Sequence, residues 1–288
     1  MFHHHHYHKQ DPMGQIVEKD GSARLLLKPG RHYAPDLAHE LLKRVDVVSM
    51  PFYIDTGIIE VIKSLREYAA IQANKDDHRF KLETFEGDEY NNFLTKLFET
   101  FNGIFFMNLL PRTKISETLD HEFPPAKLIV HRITTRLLSK FAAEIKIHGL
   151  QRSWNHIGAL LGVMIELYLK YYGCDCLTCQ GDKDGYGSTG KGNAWQRIAH
   201  KLETSAVLQK KINGEFFQHF GGFDLYRKQL YIDELSHRVL PEHHVADPDT
   251  LAIWGWDTPA FNTWLILEAR KKFKDRKEME NKKTSTRR

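Results

Sequence analysis

A chain of 288 residues with 41% hydrophobic and 27% charged residues has the composition of an ordinary globular protein, and no apolar run approaches the ~18 residues of a membrane span. The start, Met1 to Pro12, is rich in histidine and lacks the apolar centre of a secretory leader. Three cysteines suit a reducing compartment and exclude a disulfide framework. The expectation is an intracellular protein, nuclear or cytoplasmic, without membrane contact.

In chain order, residues 1–20 read as a disordered segment whose histidines, His3 to His6 and His8, could bind metal but say nothing about fold. Residues 21–85 read as a helical extension. One helix is predicted over Asp36 to Val45 and another from about Ile58 to Ala73, before a polar stretch at Asn74 to Arg79. From Gly87 the pattern tightens. Tyr90, Phe93, Leu94, Leu97, Phe98 and Phe101 recur at helical spacing, and Asn102-Gly103 is the expected stop.

Strands are predicted near Lys114 to Glu117, Leu128 to Thr134 and Ala143 to His148. A long helix, Asn155 to Tyr172, follows. Its apolar stripe of Ile157, Leu160, Leu161, Met164, Ile165, Tyr168 and Tyr172 leaves Gly162 and Glu166 together on the opposite side. A loop rich in Cys and Gly spans Gly173 to Gly192. Asn193 is the expected cap of the next helix, with Gln196 reaching back to complete a capping box. The last third is aromatic and helical, with Trp195, Trp254 and Trp256 as core anchors. This mixture indicates an α+β fold. Over Ala269 to Arg288, ten Lys or Arg face three Asp or Glu, so this tail is basic and the remaining 268 residues are slightly acidic. A cationic tail suits DNA or nuclear import, but equally a solvated helix end.

The segment AEIKIHGLQRSWNHIGALLGVMIELYLKYYGCDCLTCQGDKDGYGSTGKGNAWQRIAHKLE, Ala143 to Glu203, resembles the SprT-like domain, especially its fungal-type members. There a strand leads to a helix carrying HExxH, then a Cys-rich loop, then a GHG-x-x-W turn opening another helix. GKGNAWQRIA is the most specific element, and LPEHH with the later Trp-Gly pair resembles the family's C-terminal portion. The resemblance covers roughly residues 86–257. It implies a zincin-like α+β domain, preceded by the helical extension and followed by a basic helical tail over 258–288.

Active members are zinc peptidases that digest proteins crosslinked to DNA. Two helical histidines at i and i+4 and a third from the glycine turn bind zinc, and the intervening glutamate activates water. Aligned on Cys174 and Trp195, those positions hold Gly162 for the first histidine, Val163 for the glutamate, Glu166 for the second histidine and Lys191 for the third. No HExxH occurs elsewhere in the chain.

The resemblance therefore implies a non-catalytic pseudopeptidase, with no catalytic metal, acting as a binding or regulatory module for an unidentified protein or for DNA. An ion pair between Glu166 and Lys191 is expected across the vacated site. The alternatives are a zinc-dependent protease using other ligands and a nucleotide-binding protein. A structural zinc could sit on Cys174, Cys176 and Cys179 with His200 or His156. The string Gly185 to Gly192 nearly matches a phosphate-binding GxxxxGK[ST] loop but ends in glycine. His121, His131 and His237 read as structural or exposed, and His243-His244 as a turn.

Overall fold

The structure is a computed structural model and describes residues 14–17, 23–48, 87–118, 126–130, 142–148, 154–174, 176, 179, 187–205, 225–238, 240–256 and 259–285. The helix expected over Ile58 to Ala73, the N-terminal histidines, His121 and His131 lie outside the described residues. Among the described residues no helix is long and apolar enough to cross a membrane.

The fold is mixed α+β. A hairpin of β1 (Gly14–Val17) and β2 (Ala23–Leu26) precedes α1 (Ala34–Val48) and α2 (Gly87–Phe106). A three-stranded sheet is built from β3 (Thr113–Thr118), β4 (Ala126–Val130) and β5 (Ala143–His148), with β5 in the middle, parallel to β3 and antiparallel to β4. Along β5 the residues Ala143, Ile145 and Ile147 alternate into the core, as period-2 patterning requires. Then come α3 (Trp154–Tyr172), α4 (Asn193–Thr204), α5 (Arg227–Ser236), a 3-10 turn at Pro241–His243, α6 (Pro248–Ile253) and α7 (Pro259–Ser285).

The centre of the molecule is α3. Its residues from Ala159 to Leu169 are buried on every side, because the helix packs against β4 and β5, against α1 and α2, and against α4. The sequence indicated one apolar stripe with Gly162 and Glu166 on the opposite side, and that side is covered as well, by the turn before α4.

Residues 34–48 are not an appendage: Leu37, Ala38, Leu41, Val45 and Val48 belong to the same core as α2, α3 and α4. The strap preceding α1 closes the end of α3. Gly30, Arg31 and His32 donate backbone N–H groups to the carbonyls of Tyr171 and Tyr172 at 3.0 Å, satisfying acceptors that a helix C-terminus leaves open.

Two expected helix boundaries are corrected. Asn102-Gly103 does not stop α2, which runs on to Phe106 because Ile104, Phe105 and Phe106 are all fully buried. The left-handed exit falls on Met107 and Asn108, and Asn102 braces it from within by accepting the backbone N–H of Leu110. Asn193 is not the cap of α4. Gly192 is, without a side-chain cap bond, and the Gln196 amide reaches Lys191 O and Arg227 O at 3.4 Å each.

A second apolar cluster lies at the C-terminal side, where Tyr231, Trp254 and Trp256 stack against one another and Leu265 and Ala269 of α7 close the group. Residues 277–283 of α7 are exposed on all sides. His243 lies in the turn after Pro241, and His237 is exposed, its Nδ1 2.9 Å from Asp233 O.

Candidate functional site: a buried ion pair on the central helix

Helix periodicity carries Gly162 and Glu166 to one face of α3, four residues apart. The turn that opens α4 brings Lys191 and Trp195 onto that face. Trp195 is fully buried. Its indole N–H donates to Gly162 O at 2.9 Å, and the ring fills the space a side chain on residue 162 would take. A Cβ added to Gly162 would sit 3.4 Å from Trp195 Cζ2 and 3.8 Å from Leu225 Cδ2. A methyl group at 162 would just reach van der Waals contact, and a larger side chain would meet the ring.

That spacing gives a sharp expectation. Gly162→Ala should leave stability within about 1 kcal/mol, helix propensity offsetting a tight contact. Gly162→His should destabilise by roughly 1–3 kcal/mol, because the imidazole meets the indole. Chemical denaturation of both variants checks this, and a tolerated histidine would refute the packing argument.

The Glu166 carboxylate, with 8% of its side chain exposed, is in direct contact with the Lys191 ammonium, itself 9% exposed, and Oε1 takes a second ion pair from Lys170 at 2.6 Å. Lys191 Nζ also lies over the Trp195 ring at 5.8 Å. Burial pushes the Lys191 ammonium well below its ordinary pKa, while the carboxylates of Glu234 and Asp233 pull it back up. Burial lowers Lys170 too, again opposed by Glu234. Val163 is buried beside this pair. Together with Gly162, Lys191, Ala126, Leu225 and Leu230 it lines a cavity of about 20 Å³, room for roughly one water. Among the described residues of that lining, Lys191 alone is charged.

The loop leading to Lys191 is held by Glu234 of α5. Its carboxylate accepts the backbone N–H of Ser188, the N–H of Thr189 at 2.6 Å and the Thr189 hydroxyl at 2.7 Å. Gly187, at φ +72°, sits where any Cβ would collide with that carboxylate. In a phosphate-binding loop those N–H groups would cradle an anion and the lysine would reach it. Here the protein's own carboxylate fills the cradle and Lys191 turns to Glu166. The phosphate-loop expectation is corrected on that ground for the described residues 187–192; Gly185 lies outside them.

The cysteines also come together. The Sγ atoms of Cys174, Cys176 and Cys179 lie within 4.8 Å of one another. His200 is not part of this group and is corrected as a ligand. It sits on α4 turned toward α5, where Arg227 Nη1, which can only donate, lies 3.1 Å from its Nδ1. Burial and the Arg227 charge push its pKa down. The side chain of His156 lies outside the described residues.

No family model, curated protein or solved structure matches this chain.

A peptidase zinc of the kind the resemblance implies does not fit these side chains. Positions 162, 163, 166 and 191 supply no imidazole. Their single carboxylate is engaged by two ammonium groups, and Trp195 covers the helix face. What the arrangement can do is hold a loop against a helix.

Sequence reasoning missed two members of the site. Lys170 was legible as an i,i+4 partner of Glu166. Glu234 lies 45 residues beyond Thr189, in a helix that carries no motif, and no local pattern points to it.

Proposed function

We propose that this chain is a SprT-like, zincin-type domain with its peptidase centre replaced by the Glu166–Lys191 ion pair, and that it acts as a non-catalytic module binding nucleic acid and a protein partner. One observation carries the reading: positions 162, 163, 166 and 191 meet around one ion pair on one helix face. The order of elements supports it. Strand β5 leads to α3, then the cysteine loop, then a glycine turn placing Trp195, then α4, as the resemblance implies. Val163 cannot take a proton from water, and the described residues lining the cavity beside it include no carboxylate to do so.

The nucleic-acid half of the reading rests on α7. Its first turns dock through Leu265, Ala269, the Arg270–Glu242 pair at 2.9 Å and the Lys272–Asp233 pair at 3.7 Å. Beyond residue 276 the helix touches little and carries Lys277, Lys282 and Lys283 into solvent. Exposed basic side chains on a projecting helix suit a phosphate backbone.

The test has two arms. Full-length protein with zinc or manganese, with and without DNA, is incubated with a protein substrate beside a competent SprT-like peptidase. No cleavage above the blank is expected, and chelator-sensitive cleavage would overturn the proposal. In the second arm, replacing Lys282, Lys283, Arg287 and Arg288 by Ala should weaken DNA binding tenfold or more, measured by fluorescence anisotropy. The salt slope should flatten by about one for each phosphate that is no longer neutralised. Equal affinity of the two proteins would remove the tail from the argument.

A further inference from the structure

We propose that Cys174, Cys176 and Cys179 form a metal site for zinc, separate from the ion-pair site and independent of the SprT-like reading. The sulfurs converge, none is in a disulfide, and Cys179 is buried. Tetrahedral zinc with thiolate bonds of about 2.3 Å holds its sulfurs about 3.8 Å apart. A trio whose members all lie within 4.8 Å of one another needs only a small contraction to reach that spacing.

A second observation is the turn itself. The backbone N–H of Cys179 donates to Cys176 Sγ at 3.4 Å. This bond fixes the tight turn that sets Cys176 beside Cys179, the short ligand spacing that tetrahedral zinc uses. The site is also anchored before any metal arrives. Gly173 pairs with His32, and Cys174 N–H donates to His32 O at 2.7 Å, which ties the first ligand to the strap across the end of α3. Carboxylates and imidazoles are absent from the group among the described residues, so the donor set is all sulfur and selects a thiophilic cation over magnesium or calcium.

Binding of Zn²⁺ by three thiols forms three Zn–S bonds and releases three protons to solvent. Water completes the fourth position. Affinity must therefore fall as pH falls. The metal would clasp the turn that leaves the central helix, on the chain path to the loop carrying Lys191.

The N-terminal histidines could bind zinc too, so the test reads sulfur directly. Full-length protein is titrated with Co²⁺. A thiolate-to-cobalt charge-transfer band saturating at about one equivalent, and displaced by zinc, is expected. Histidines give no such band. In parallel, alkylation of the thiols is counted by mass spectrometry with zinc and with EDTA. Zinc should slow modification of all three at least tenfold. Both measurements use the wild-type chain, so they stand even if the variant with all three cysteines changed to Ser fails to fold. If that variant does fold, it should lose the band entirely. Absence of the band, with thiols alkylated equally fast in zinc and EDTA, would overturn the site whatever becomes of the proposed function.

Discussion

Replacing Glu166 by Gln is expected to destabilise the protein by about 3–5 kcal/mol near neutral pH, whereas Lys191→Met should cost under about 1 kcal/mol. The asymmetry follows from the partners. Without Lys191, Glu166 keeps Lys170 at 2.6 Å, and methionine can pack against Leu225 and Leu230 in the same cavity. Without the Glu166 charge, the buried Lys191 ammonium loses its ion-pair partner, while the more exposed Lys170 can turn to water.

The deficit should depend on pH. Burial holds the folded pKa of Lys191 below its ordinary 10.5, and the Gln variant lowers it further. Between that depressed value and about 10.5 the unfolded chain binds more protons than the folded one, so stability rises with pH across the window. Wild type gains over the same window, so the deficit itself changes only below the wild-type folded pKa of about 7, and urea denaturation at about pH 5.5 and pH 9.5 should show the Glu166→Gln deficit shrinking at the higher pH. Equal losses in both variants at both pH values would mean that the ion pair contributes little.

Glu234→Ala should cost about 3 kcal/mol, since it strands two backbone N–H groups and a hydroxyl at a partly buried turn. It also removes a negative charge that raises the pKa of both Lys170 and Lys191. Gly187→Ala should be costly for two reasons: a left-handed backbone, worth about 1–2 kcal/mol, and the collision with the Glu234 carboxylate. In the Glu234→Ala background the collision is gone and only the backbone cost remains. A double-mutant cycle should accordingly show coupling of at least about 1 kcal/mol. Strict additivity would show that the carboxylate does not seat against Gly187.

Much of the frame could be read from the sequence because it depends on period. The alternation of β5 and the apolar spacing of α2 and α3 set those elements to within a few residues. The ends were less legible. Asn102-Gly103 has the chemistry of a helix stop, but three buried residues beyond it outweigh that preference. The Glu166–Lys191 contact was expected from the residues' places in the motif. Lys170, one turn along the same helix, was open to the same reading, whereas Glu234 was not, since it reaches the loop only through tertiary packing. The all-round burial of α3 was only partly legible: spacing set Gly162 and Glu166 apart from the apolar stripe, but no local pattern showed that Trp195, 33 residues away, would be laid on Gly162.

Helix α5 has a consequence for how the molecule comes apart. Leu230 belongs to the larger core, while Tyr231, Ile232 and Leu235 belong to the aromatic one, and between them Glu234 grips the glycine loop. Peeling away the C-terminal aromatics would withdraw the anion that seats Ser188 and Thr189 and leave a buried ammonium poorly compensated. The two cores are thus stitched together along α5, and heat or denaturant should melt them in one cooperative step rather than in sequence.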